Sequence, residues 1–127
     1  MASSVLDASA LLALLQGEPG AEAVAAIVGD AVMASVNLAE VLGKLLEFGQ
    51  PRDAALRAIG QTAVRIVAFD AGMGIDAGEM IPAARRAGLS LGDVACLAVA
   101  RRLGLPAYTG DRSWTRHDFG VEIRLIR

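Results

Sequence analysis

Cysteine, histidine, lysine and aromatic residues are all scarce in this chain, and each scarcity removes a class of function. A single cysteine, Cys96, permits no internal disulfide and no cysteine-rich zinc site. It lies in an apolar helical stretch and reads as a buried structural thiol. The only histidine, His117, falls in a polar segment beside Arg116 and reads as a surface residue. Aromatic residues make up 4% of the chain, which leaves few platforms for stacking single-stranded bases. No apolar run approaches the roughly 18 residues that a membrane helix needs. The opening segment, Met1 to Asp7, has no basic stretch of the kind that begins a secretory leader. Charge of one sign is lacking too. Twelve basic residues against 14 acidic ones give a net charge of −2, so capture of nucleic acid by a globally basic surface is excluded. A cytoplasmic protein with no membrane association is expected.

What is present is apolar and patterned. Apolar residues account for 54% of the 127 and charged residues for 20%, which excludes disorder. A single domain spanning 1–127 is expected. Short apolar runs alternate with helical patterns. Val5-Leu6 reads as a first strand ending at Asp7, and 8–16 as a helix stopped by Gly17-Glu18-Pro19-Gly20. A second helix is predicted over 21–28, a strand over 31–36 and a helix over 37–48. Gly49 closes that helix, and Pro51 stands where the first turn of the next would begin. A strand over 64–69 precedes a loose helix ending before Gly88. The most apolar helix follows over 90–103, then strands over 105–109 and 121–126. Short apolar strands alternating with helices argue for an α/β fold: three layers, α/β/α, around a mainly parallel sheet of four to five strands. In such sheets ligands gather at the carboxyl ends of the strands.

Four acids are expected at that edge. Asp7 directly follows the first strand, and Asp111 follows the fourth after Thr109-Gly110. Glu40 and Asp93 fall in the first turns of helices that begin there. Eleven helical residues from Asp93 to Leu103 travel about 16 Å away from the edge, and five strand residues from Leu105 to Thr109 return by about the same distance. Each acid also has a local use. Asp7 and Asp111 suit helix N-caps, and Asn37-x-x-Glu40 and Ser90-x-x-Asp93 both read as capping-box variants. Capping explains less well why four junctions deliver an acid to one edge. Converging carboxylates repel one another unless their pKa values rise or a cation sits among them. Oxygen-only donors suit Mg²⁺ or Mn²⁺ rather than zinc. Such an ion serves phosphodiester chemistry without a histidine or serine nucleophile. Asp70 reads as an N-cap that could flank the site, and Asp118 as a turn residue.

The sequence resembles the PIN-domain family, and within it the VapC-type ribonuclease toxins of bacterial toxin–antitoxin modules. The resemblance rests on four stretches in order along the chain. They are Val5-Leu6-Asp7-Ala8-Ser9, Ser35-Val36-Asn37-Leu38-Ala39-Glu40, Leu89-Ser90-Leu91-Gly92-Asp93-Val94-Ala95 and Tyr108-Thr109-Gly110-Asp111-Arg112. It implies a PIN-like fold, a Mg²⁺- or Mn²⁺-dependent endoribonuclease acting on RNA, a homodimer and a cognate antitoxin. By the same resemblance Asp7 and Asp93 would be the principal metal ligands, and Glu40 and Asp111 would complete the catalytic site.

Eleven of the 12 basic residues are arginine, which favours bidentate phosphate contact. Arg112, beside Asp111, is the leading candidate for a substrate phosphate, ahead of Arg85, Arg86 and Arg116. Ser9 and Thr109 could bind near the substrate, hydrogen-bond the acids or stabilise turns. Trp114 reads as packed against the sheet edge. The alternative to an enzyme is a catalytically silent PIN-like binding module. A receiver domain is excluded because Asp7 has no adjacent acid and the one lysine, Lys44, sits mid-helix. A haloacid-dehalogenase-type phosphatase is excluded because Ser9 stands where it needs a second aspartate.

Overall fold

A computed structural model describes all 127 residues. Five strands form one sheet: β1 (Ser4–Leu6), β2 (Ala31–Ala34), β3 (Arg65–Val67), β4 (Ala107–Thr109) and β5 (Ile123–Leu125). Their order is β3-β2-β1-β4-β5 and every pairing is parallel. Six helices connect them: α1 (Ala8–Gln16), α2 (Ala21–Ile27), α3 (Ser35–Glu47), α4 (Arg52–Gln61), α5 (Ala71–Arg86) and α6 (Leu91–Leu103). No single helix is long and apolar enough to cross a membrane.

The period-two alternation of a strand splits the core into two layers. Val5, Val32, Ala34 and Ala107 face one side, where α5 and α6 contribute Met73, Met80, Leu97 and Val99. Leu6, Ala31 and Met33 face the other, where Leu11, Val24, Val41, Leu45 and Ile59 come from α1 to α4. This is the expected α/β/α sandwich. Trp114 is fully buried in the first layer, and Cys96 is buried beneath the same face. Asp76 and Arg102, 2.8 Å apart, tie α5 to α6.

Several boundaries differ from those predicted, each for a local reason. The strand expected over 31–36 stops at Ala34, because Ser35 already starts α3 and its hydroxyl oxygen accepts the Phe69 N–H (3.1 Å). The strand expected over 64–69 shortens to Arg65–Val67. Ala63 takes a left-handed conformation (φ +64), and the Val64 N–H is used by the Thr62 hydroxyl. The strand expected from 105 begins at Ala107. Left-handed Gly104 ends α6, the Leu105 N–H returns to the Ala100 carbonyl, and Pro106 has no N–H to give. The last strand keeps only Ile123–Leu125 of 121–126. The second helix gives way at Val28 to a 3-10 turn. Pro51 caps α4 from just outside it rather than opening its first turn.

The chain adds β2 and then β3 on one side of β1, and β4 and then β5 on the other. The reversal lies between β1 and β4. A crevice opens at the carboxyl ends of strands where the order reverses.

Candidate active site

Asp7 stands at that reversal, immediately after β1, and is 4% exposed. Its Oδ1 accepts the Ala10 N–H (2.8 Å), so it does cap α1, and Ser9 Oγ donates to it at 2.7 Å. Its Oδ2 accepts from Thr109 Oγ1 at 2.6 Å. The two hydroxyls are themselves held from the turn after β4, where the Gly110 N–H donates to Ser9 Oγ (2.9 Å) and the Asp111 N–H to Thr109 Oγ1 (3.0 Å). Ser9 and Thr109 therefore hydrogen-bond the acid and fix the turn at once. Thr109 is completely buried under Asp7, so its oxygen faces the carboxylate and not the open cavity. Burial pushes the Asp7 pKa up to about 6, with the nearby Asp93 charge adding to the rise while the bonds from Thr109, Ala10 and Ser9 oppose it.

The other three acids reach the same place from three other junctions. Asp93 lies in the first turn of α6 and completes a capping box with Ser90. The Asp93 N–H donates to Ser90 Oγ (3.2 Å), and Asp93 Oδ2 accepts the Ser90 N–H (2.9 Å). Asp111 follows β4 and caps the 3-10 turn Arg112–Arg116. Its Oδ1 accepts from the Ser113 N–H (2.9 Å) and hydroxyl (2.6 Å). Glu40 projects from α3, and its Oε1 accepts from Asn37 Nδ2 (2.8 Å). Asp7, Glu40, Asp93 and Asp111 together line one cavity of about 240 Å³. Cys96 lies under them. Burial above all, and then the charges of Asp7, Asp93 and Glu40, raise its pKa and keep it a thiol.

Capping and convergence are thus compatible for Asp7, Asp93 and Asp111. The expected Asn37-x-x-Glu40 capping box is not formed. Because α3 starts at Ser35, Asn37 lies inside the helix and turns toward α6, donating a second bond to the Gly92 carbonyl (3.0 Å). No three of the carboxylates approach closely enough to make a ready-formed metal cluster. Their chemistry nonetheless fits a hard divalent cation: four oxygen donors and only one basic side chain around the cavity.

That basic side chain is Lys44, which the sequence marks only as a mid-helix lysine and not as part of the site. The signal was available, since Lys44 is four residues after Glu40 and shares its helix face. Asn37 was expected only as a helix cap, and Gly92 had no expected role. Arg112 is exposed, makes no ion pair and does not line the cavity. Arg85 borders a separate cleft between α5 and α6, Arg86 is exposed, and Arg116 reaches the Ala87 carbonyl. Asp70 caps α5 through the Met73 N–H (3.0 Å), and Asp118 closes a turn at Gly120. His117 is exposed and packs edge-on against Phe119. None of these three lines the acidic cavity.

The sequence model of the PIN domain matches residues 4–120, and the chain belongs to the PIN domain family. Solved structures share its fold across nearly its whole length. The DNA-bound VapBC complex from Salmonella typhimurium aligns over 100% of both chains with a TM-score of 0.77 and 16% identity. VapC20 from Mycobacterium tuberculosis, described as a sarcin–ricin-loop-cleaving toxin, aligns over 90% of this chain and 94% of its own, with a TM-score of 0.74 and 24% identity. VapBC-5 from the same organism aligns over 100% and 99%, with a TM-score of 0.66 and 23% identity. No curated protein matches the sequence.

Proposed function

We propose that this chain is the toxin of a toxin–antitoxin pair, a Mg²⁺- or Mn²⁺-dependent endoribonuclease that hydrolyses RNA phosphodiester bonds. One observation carries the reading: four carboxylates, delivered from three strand ends and from the α5–α6 connection, line a single cavity at the point where strand order reverses. Asp7 and Asp93 would be the main ligands of the ion, with Glu40 and Asp111 completing the set. The ion supplies charge neutralisation at the phosphodiester and an acidified water. The protein's own part is placement. Ser9, Thr109 and the Ala10 N–H hold Asp7 to one orientation, and the Ser90 box holds Asp93. Lys44, in the cavity wall, and Arg112, next to Asp111 in the chain but outside the lining, offer positive charge to substrate phosphates. A second copy of the chain and a cognate antitoxin are its proposed partners, in the cytoplasm, with residues 1–127 acting as one PIN domain. The resemblance to VapBC complexes supports the antitoxin.

A second reading, a catalytically silent PIN-like binding module, is favoured by one observation: no three acids form a ready-made ligand cluster. Growth separates the two. Expressing the chain alone in a bacterial host should arrest growth, and Asp93→Asn should lift the arrest. Growth that is normal with both chains would contradict the toxin reading.

A further inference from the structure

We propose that Asn37 and Gly92 are positioning residues for the Glu40 carboxylate: Asn37 grips one of its oxygens, and Gly92 leaves the space that the carboxylate fills. Together they hold Glu40 ready for a divalent cation, so the inference rests on the metal-dependent reading above.

Asn37 is 1% exposed and sits inside the first turn of α3. Its Nδ2 uses both hydrogens, one on Glu40 Oε1 (2.8 Å) and one on the Gly92 carbonyl (3.0 Å). Both partners are acceptors, so the amide has one possible orientation. That orientation leaves Oδ1 buried with no donor. An unpaired buried acceptor destabilises a fold. Leucine has the same branched skeleton and would fill the site without that liability. Packing therefore does not explain the asparagine, whereas its hold on Glu40 does.

Gly92 faces Glu40 from the other side. A Cβ there would lie 2.6 Å from Glu40 Cδ and nearer still to both carboxylate oxygens. Its backbone is not in the left-handed region, so conformation does not require glycine. Within a helix alanine is ordinarily the more stable choice. The space occupied by the carboxylate accounts for its absence. The carboxylate also lies at the N-terminal end of α6, where the helix dipole favours negative charge.

The test is Mn²⁺ binding to the purified full chain, read from the electron paramagnetic resonance of free Mn²⁺, beside thermal melting. Asn37→Leu and Gly92→Ala attack the arrangement from two different helices, and Glu40→Gln serves as the reference. We expect both positioning variants to melt cooperatively, within a few degrees of wild type or above it. Their Mn²⁺ affinity should fall roughly 10-fold or more, as outer-sphere substitutions commonly do, approaching that of Glu40→Gln. A merely structural role would lower the melting temperature and leave Mn²⁺ affinity unchanged. Wild-type affinity in both variants, with Glu40→Gln weakened, overturns the positioning role and leaves the metal reading standing. Absence of Mn²⁺ binding in wild type overturns both, whereas full affinity in Glu40→Gln overturns the positioning role alone. Should Asn37→Leu fail to fold, Gly92→Ala decides, because its effect comes from a steric overlap with the carboxylate.

Discussion

Asp7 is under opposing demands: burial disfavours its charge, while three hydrogen bonds favour it, and burial wins. Its native pKa of about 6 stands above the unfolded value of 3.8. The native state therefore holds this proton more tightly than the unfolded chain does. The resulting stability is fully present below the unfolded pKa and is lost as pH rises through about 6, a change of about 3 kcal/mol. Without divalent ions, wild type should melt higher at about pH 5 than at about pH 7.5 by more than Asp7→Asn does. A pH dependence unchanged by the substitution would remove Asp7 as its source. Thr109→Val takes away the 2.6 Å bond to Oδ2. Loss of about 1–3 kcal/mol in urea unfolding is expected at neutral pH, with the Asp7 pKa rising further. At this scale the acids were legible, because a carboxylate just after a strand or near a helix's start has a fixed place at the sheet edge; Glu40 alone sits deeper than expected, in the second turn of α3 rather than the first, since that helix starts at Ser35. Lys44, Asn37 and Gly92 were not. What each does depends on the neighbouring helix, and spacing within one helix does not reveal that α6 packs against α3.

Among the elements, α6 matters most to the site, since its first turn places Asp93 and Gly92. Its reciprocal bonds between Ser90 and Asp93 set both the start of the helix and the direction of the acid. Ser90→Ala should cost about 1 kcal/mol, read as a drop in denaturation midpoint with an unchanged slope. Nuclease activity should fall further than that loss of stability explains, because Asp93 loses its restraint. Equal residual activity at matched folded fraction would show that the box serves the helix alone. Helix α1 was predicted to the residue, since Asp7 and the Gly17 turn bracket it clearly. Strand ends were overestimated. Leu105, Val64 and Val36 are apolar like true strand residues, but their main chains serve a helix cap, a threonine turn and the start of α3. Such competition for backbone hydrogen bonds leaves no trace in hydrophobic periodicity.

At the scale of the whole molecule, topology does what no single motif can. Residues 7, 40, 93 and 111 are far apart in the chain and meet because β1 and β4 are neighbours across the reversal of strand order. The proposed homodimer predicts light scattering at twice the chain mass, and a monomer at working concentrations would contradict that part of the account. The central claim is that the four acids form a metal-dependent ribonuclease centre. Its most direct test is cleavage of total RNA by the purified chain with Mg²⁺, with Mn²⁺ and with EDTA, beside Asp7→Asn and Asp93→Asn. The account predicts cutting with either ion, none with EDTA, and none by either variant while circular dichroism remains that of wild type. Cutting that persists in EDTA, or that both variants retain, would contradict it.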